Sequence, residues 1–375
     1  MSYLLAFAGF SALIILHELG HFVAAKAVGM RVERFALFFP PLIWRWRPKK
    51  DSETEYAIGA IPLGGYVKIS GMNPEEPLPP EVAERAYYRQ KVWKRIVVIG
   101  AGPAVNIVLA FLILWVLFTV RPLTFVEPAV QSVQPRTPAA QVLKPGDRIL
   151  SVDGKPGFVP GTDPETAADR VDDLRTQIAE HQCAGDKPRA GCRATTPVRL
   201  VVLRDDRRLT LNVVPRYDAK QGRLLIGFSF VSRQVDYGPG QAAGYSVRTL
   251  WRITTTTVDN IVRVFYDPEA RKQVSGVVGS YEATRQSFEF DTAQAAFVLA
   301  IISLSLAVIN LFPFLPLDGG HIFWAIAEKI RGRPIPFRVM ERAGIVGFML
   351  VIFLAYVGLS NDIGRITSGE GFGVR

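Results

Sequence analysis

The stretch HELGH, residues 17 to 21, sets His17 and His21 four positions apart with Glu18 beside the first. On a helix this spacing projects both imidazoles from one face, where they can share a metal ion, and it lets Glu18 hold a water as general base. It is the donor arrangement that hydrolyses amides at a zinc ion. The competing reading is a bundle interior in which the two histidines and the glutamate satisfy one another. The chain has only four histidines, so a chance match is rare, and the motif follows directly on the aliphatic run LIIL. Ionisable side chains inside a membrane segment are costly and mark function by default.

A catalytic zinc takes a third protein ligand and keeps a position open for water. NLFPFLPLDGGH, residues 310 to 321, offers Asp318 directly after an apolar run. Asp-Gly-Gly is also ordinary turn chemistry, which makes a cap the competing reading for Asp318. His321 either tunes such a site from behind its ligands or faces the cytoplasm, and is not counted as a ligand.

The elements that must carry these residues are membrane spans. Hydrophobic residues make up 49% of the 375, and stretches at 4–28, 96–120, 293–312 and 343–359 are long and apolar enough to cross about 30 Å of hydrocarbon. No basic residue precedes the first span and no small-residue cleavage site follows it, so a removable signal peptide is the weaker reading. The net charge of +10 gathers beside the spans, from Arg31 to Arg95 and from Lys329 to Arg342. Such loops belong in the cytoplasm, which leaves the N-terminus, residues 121–292 and the C-terminal tail outside. The same placement argues against nucleic acid and for the lipid bilayer as partner. With the first and third spans both running inwards, His17 lies about 20 Å along its helix and Asp318 just past the inner end of the other. The two motifs are therefore expected in the cytoplasmic part of the bilayer.

Between the spans the pattern changes. Residues 31–70 alternate and are rich in aromatics, Pro and Gly, which predicts short strands held against the membrane by Phe35, Phe38, Phe39, Trp44 and Trp46. Residues 122–216 read as a compact α+β domain with strands at RLVVL and LTLNVV and a helix near 167–181. Residues 241–266 space Val247, Leu250, Trp251, Val258 and Ile261 as an amphipathic helix along the membrane face or the bundle. Cys183 and Cys192 lie in the outer segment, where a disulfide is permitted and a pair of free thiols equally compatible with the sequence. No repeat or low-complexity tract is present.

These motifs together resemble the bacterial site-2 protease family of intramembrane zinc metalloproteases, over almost the whole chain. The resemblance rests on HELGH, on the N-x-x-P-x-x-x-L-D-G pattern formed by Asn310, Pro313, Leu317, Asp318 and Gly319, on PLGGYVKISG at 62–71 and on GAGPAVN at 100–106. SGVVGS at 275–280 departs from a family segment that usually has Pro where Val277 stands. PAAQVLKPGDRILSVDGKP, 138–156, is similar to the core of a PDZ domain, although the glycine–hydrophobic loop that holds a free carboxylate is replaced by VEPAVQSV.

The resemblance implies an α-helical membrane protein with four transmembrane helices, a membrane-associated β region and an inserted extracytoplasmic α+β PDZ-like domain. Its parts would be a membrane region with the HELGH helix, the β region and the second span at 1–121, the PDZ-like domain at 122–232, amphipathic linker helices at 233–292, and a membrane region with the third-ligand motif and fourth span at 293–375. It implies a Zn2+ cofactor held by His17, His21 and Asp318, and catalysis by Glu18 with Asn310, whose carboxamide can stabilise a developing oxyanion or simply bond between helices. Gly64, Gly65, Asn106 and Pro313 are the expected substrate-binding residues, the glycines because a substrate unwound beside an exposed strand edge can pair with it. The expected substrates are single-pass membrane proteins in a multi-pass enzyme of the bacterial inner membrane, either anti-sigma-factor-like regulators already cut once or remnant signal peptides. The rival readings are a catalytically inactive membrane-anchored PDZ scaffold and a metal transporter, the latter disfavoured by the few polar residues in the second and fourth spans.

Overall fold

α1, Ser2–Ala27, is apolar around most of its circumference, and the residues it buries form one stripe: Ala6, Leu13, His17, Gly20, His21 and Ala25. Tyr3, Leu4, Leu5, Phe7 and Val23 stay exposed on the rest of the helix, as suits a surface whose solvent is lipid. β1, Val32–Trp46, and β2, Glu55–Ile69, pair antiparallel as two long bent strands. Leu37 lies opposite both Gly65 and Ile58, while Trp44 pairs with Ile58 and Trp46 with Tyr56. The inner part of β1 is thus flanked by β2 on two sides, and the stretch of β2 around Gly65 is an outer row. The bend in β1 falls at Phe38, which has a positive φ, and at the cis Pro40-Pro41 bond. A short helix, α2 at Pro80–Ala83, leads to α3, Val92–Val120, which carries Pro103 inside it.

The structure, a computed structural model, describes residues 1–49, 51–73, 75–184, 189–219 and 221–368. The chain divides into two units, Arg121–Gly238 and the remainder, Met1–Val120 with Pro239–Arg375. The inserted unit contains β3 Leu123–Val133, β4 Arg148–Val152, β5 Lys155–Pro156, the helix α4 Pro164–Ala179, β6 Val198–Arg204, β7 Arg207–Val213, β8 Arg216–Asp218, β9 Arg223–Leu225 and β10 Phe228–Val235. Its main sheet has the order β10-β3-β4-β6-β7, with β5 on β4. Val130, Ile149, Val152, Val171, Leu174, Val198, Leu200 and Val202 close its core. α4 starts three residues before the predicted helix because Asp163 caps it, accepting from the Thr166 backbone N–H, with Pro164 in the first turn. Cys183 and Cys192 are joined by a disulfide.

The chain returns to the first unit through α5, Pro239–Arg263, the amphipathic helix expected there, then α6, Pro268–Gln273, and α7, Val277–Phe290. α8, Thr292–Asn310, stops two residues short of the predicted span, where the Leu311 N–H turns back to Ala307 O. α9, Asp318–Arg331, ends at Gly332 in the left-handed region, and α10 covers Phe337–Ser368. α10 exceeds the predicted 343–359 because its polar end is engaged rather than solvated. Asp362, fully buried, accepts from the backbone N–H groups of Gly276 and Gly279 at the start of α7, at 3.1 and 2.7 Å, and Asn361 donates to Arg271 O and Val274 O. The SGVVGS motif therefore supplies close-packed glycines to receive Asp362. α1, α3, α8 and α10 are the helices long and apolar enough to cross a membrane among the described residues.

Candidate metal centre

α3 is the helix on which the site is assembled, since α1, α8 and α9 all pack against it. A Cβ at Gly20 of α1 would stand 2.6 Å from Ala101 O, so the two backbones meet without side chains between them. Gly102 then leaves room for the His21 ring, with which any Cβ there would overlap. Pro103 lacks the N–H that would bond Ile99 O, which loosens this turn. One carbonyl earlier, Val98 O accepts from His21 Nδ1 at 2.9 Å. That bond places the ring proton on Nδ1 and leaves Nε2 as a lone-pair donor.

The third group arrives from 297 residues away. In the loop after α8, a Cβ on Gly319 would overlap Leu311 O and one on Gly320 the Leu315 backbone, so the Asp-Gly-Gly turn folds tightly onto its own loop. This fixes where the first residue of α9 stands. His17 Nε2, His21 Nε2 and Asp318 Oδ2 form a triangle with all three sides 3.3 Å. The histidines are 6% and 7% exposed, which excludes bulk water from the nitrogens. Asp318 Oδ2 is buried with no hydrogen-bond donor. Three converging donor atoms, one of them an unsatisfied carboxylate oxygen, could hold a cation. A tetrahedron with ligand bonds of about 2.0–2.1 Å has edges of about 3.3 Å, so the donor set fits zinc in size and in chemistry.

The other expected residues divide around this triangle. Asn310, the last residue of α8, brings its carboxamide nitrogen to 3.4 Å from His17 Nε2. Glu18 lies beside Gly65, at which a Cβ would be 3.0 Å from Glu18 Cγ. Gly64 instead meets the Phe39 ring. Asn106 is fully buried on α3; its carbonyl accepts from Ser303 Oγ of α8 at 3.0 Å, and neither side-chain amide atom has a partner. Pro313 is exposed in the loop between α8 and α9. His321 sits on the turn after Asp318 and makes no hydrogen bond among the described residues. Sequence reasoning missed Val98 and Gly102. A backbone carbonyl carries no residue signature, whereas the small residues of GAGP, facing Gly20 of HELGH, are a signal from which a close helix crossing could have been read.

Comparison with known proteins identifies the family. The family model described as "Peptidase family M50" matches residues 5–354. A relative from Nostoc sp., provisionally named a zinc metalloprotease, is 31% identical, covering 98% of this chain and 97% of its own. Another with the same provisional name, from Rhizobium meliloti, is 29% identical over 94% of this chain and 93% of its own. The "Regulator of sigma E protease" of Salmonella typhi is 27% identical, covering 94% of this chain and 96% of its own. Spanning helices, the histidine–aspartate triangle and these matches lead to one conclusion: the chain belongs to peptidase family M50, the site-2 proteases, and is a zinc-dependent metalloprotease.

Proposed function

We propose that this enzyme cleaves single-pass membrane proteins within the bilayer, with His17, His21 and Asp318 as zinc ligands, Glu18 as general base and acid, and Asn310 as oxyanion donor. The observation that carries the reading is the 3.3 Å triangle, joined by donors from α1 and α9 and enclosed by helices apolar enough to span a membrane. Zinc supplies Lewis acidity that polarises an amide carbonyl and eases deprotonation of water. Glu18 takes the proton from the attacking water and returns it to the leaving amine. Asn310, 3.4 Å from His17 Nε2, offers an N–H to the oxygen on which negative charge develops.

A substrate helix hides its amides in its own hydrogen bonds and must unwind before it is cut. The outer row of β2 at Gly64 and Gly65 offers an edge for the unwound stretch to pair with, and Gly65 places that edge beside Glu18. Asn106, with two unsatisfied amide atoms, and Pro313, at the exposed loop, complete the proposed substrate path.

The inserted unit serves as a PDZ-like module at 122–232, between membrane regions at 1–121 and 293–375 and linker helices at 233–292. It lies outside the cytoplasm together with both termini, as the basic loops from Arg31 to Arg95 and from Lys329 to Arg342 favour. There it limits entry to membrane-anchored regulators already trimmed of their outer domain, or to remnant signal peptides, in the bacterial inner membrane. The Salmonella typhi relative, named for regulation of sigma E, supports the regulator class.

The test is Glu18→Gln beside Asp318→Ala in the full chain. Glu18→Gln is expected to keep one zinc per chain and lose about 10²–10⁴-fold in cleavage of a single-pass substrate; Asp318→Ala is expected to lose the metal. Retained cleavage by zinc-loaded Glu18→Gln removes Glu18 from the mechanism. Comparing the membrane peptides that accumulate in a Glu18→Gln strain with those of the wild type identifies the substrate.

A further inference from the structure

α9 is tied to α3 at both of its ends. Along α9, Asp318, Ile322, Ala325 and Glu328 recur at the spacing of one helical face; along α3, Arg95, Ile99 and Gly102 do the same. At one end Gly102 seats His21, whose Nε2 lies 3.3 Å from Asp318 Oδ2. At the other, Arg95 Nη2 lies 2.8 Å from Glu328 Oε2. Ile322 packs between them, over Gly100. The two helices therefore run in opposite directions, with the metal centre and the ion pair at opposite ends of their contact.

Arg95 is 7% exposed, its guanidinium carbon is 5.8 Å from the centre of the Tyr87 ring, and its Nε has no hydrogen-bond partner. Tyr87 in turn donates its backbone N–H to Ser70 O, immediately after β2. The hydrolysis makes no use of this charge pair, and apolar side chains of similar volume would bind the two helices about as well. A directional pair contributes register. One height and one rotation of α9 satisfy it, whereas a slip of one residue carries Asp318 about 1.5 Å along the axis and about 100° around it.

We infer that Arg95 and Glu328 are positioning residues for the metal centre: their ion pair sets the register of α9 on α3 and so holds Asp318 Oδ2 at the two histidines. The inference rests on the reading of His17, His21 and Asp318 as zinc ligands.

The test measures zinc dissociation constants of the detergent-solubilised full chain against a chromophoric chelator, together with the visible spectrum of the cobalt-substituted protein. Glu328→Gln and Arg95→Met are expected to bind zinc about 10–100-fold more weakly, as loss of a ligand's supporting partner does, and to lose intensity in the tetrahedral cobalt bands. The exchanged pair, Arg95→Glu with Glu328→Arg, is expected to recover both. The apolar pair, Arg95→Met with Glu328→Leu, keeps the melting temperature and stays weak in zinc; it carries the test if a single variant fails to fold. Wild-type zinc affinity in the folded apolar pair overturns the inference and leaves the site intact. Wild-type affinity in Asp318→Ala overturns the ligand reading instead, whatever the Arg95 variants do.

Discussion

Glu18 of α1 and Gly65 of β2 are neighbours across the face of the site: a Cβ on Gly65 would lie 3.0 Å from Glu18 Cγ and 3.0 Å from Ala36 O. The strand edge proposed to receive substrate therefore runs past the proposed base. Gly65→Val is expected to leave one zinc per chain in place while lowering kcat/KM by about 10-fold or more, since a misplaced base or substrate backbone forfeits near-attack geometry. Zinc content and steady-state cleavage, measured on the same preparation, check this; loss of zinc would show that the strand supports the ligands.

Gly102→Ala puts a methyl group where the His21 ring stands. Val98 O holds that ring at 2.9 Å from the other side, so the imidazole cannot yield without giving up its own hydrogen bond. Zinc affinity is expected to fall at least 10-fold, comparable to loss of a ligand's supporting partner. Ala at Gly100, which has open space around it apart from Ile322 at 3.9 Å, is the matched control and is expected to bind zinc normally.

Asp362→Ala strips two backbone donors, the half-buried Gly276 N–H and the buried Gly279 N–H, of their acceptor. Each buried group left unpaired costs about 1–3 kcal/mol. The variant is expected to unfold at lower temperature in detergent and to expose the start of α7 to proteolysis, with Asp362→Asn intermediate because one carbonyl oxygen still accepts. An unchanged melting curve would mean that α10 is held elsewhere.

In the inserted unit, burial by itself would lift the Asp147 carboxyl, but Arg204, donating twice at 2.7 Å, and the Lys144 N–H hold it below the ordinary carboxylate range. A carboxyl depressed in the folded state stabilises above its unfolded pKa, about 3.9, and that contribution is lost as pH falls through the lower folded value. The protection of β4 and β6 amides against hydrogen exchange, taken relative to the intrinsic rate at each pH, should therefore fall in acid below about pH 4 in the full chain. Arg204→Leu should raise exchange at neutral pH and flatten the acid limb.

What was legible from residue order was local and periodic. Histidines four apart share a helix face whatever surrounds them, and apolar stretches of spanning length declare themselves, whereas the cap at Asp163 that starts α4 ahead of the expected helix became visible only in the structure. Asp318 could be nominated as a third ligand only through the direction of its span and through family resemblance, because nothing near it in sequence indicates a partner 297 residues away. Tertiary structure decided the rest: that Gly102 seats His21, that Val98 O fixes its tautomer, that Gly65 adjoins Glu18, and that Arg95 meets Glu328. The physical reason is that helical periodicity sets which way a side chain points, whereas the distance between two helices is set by the small residues where they cross and by the few polar pairs that hold their register.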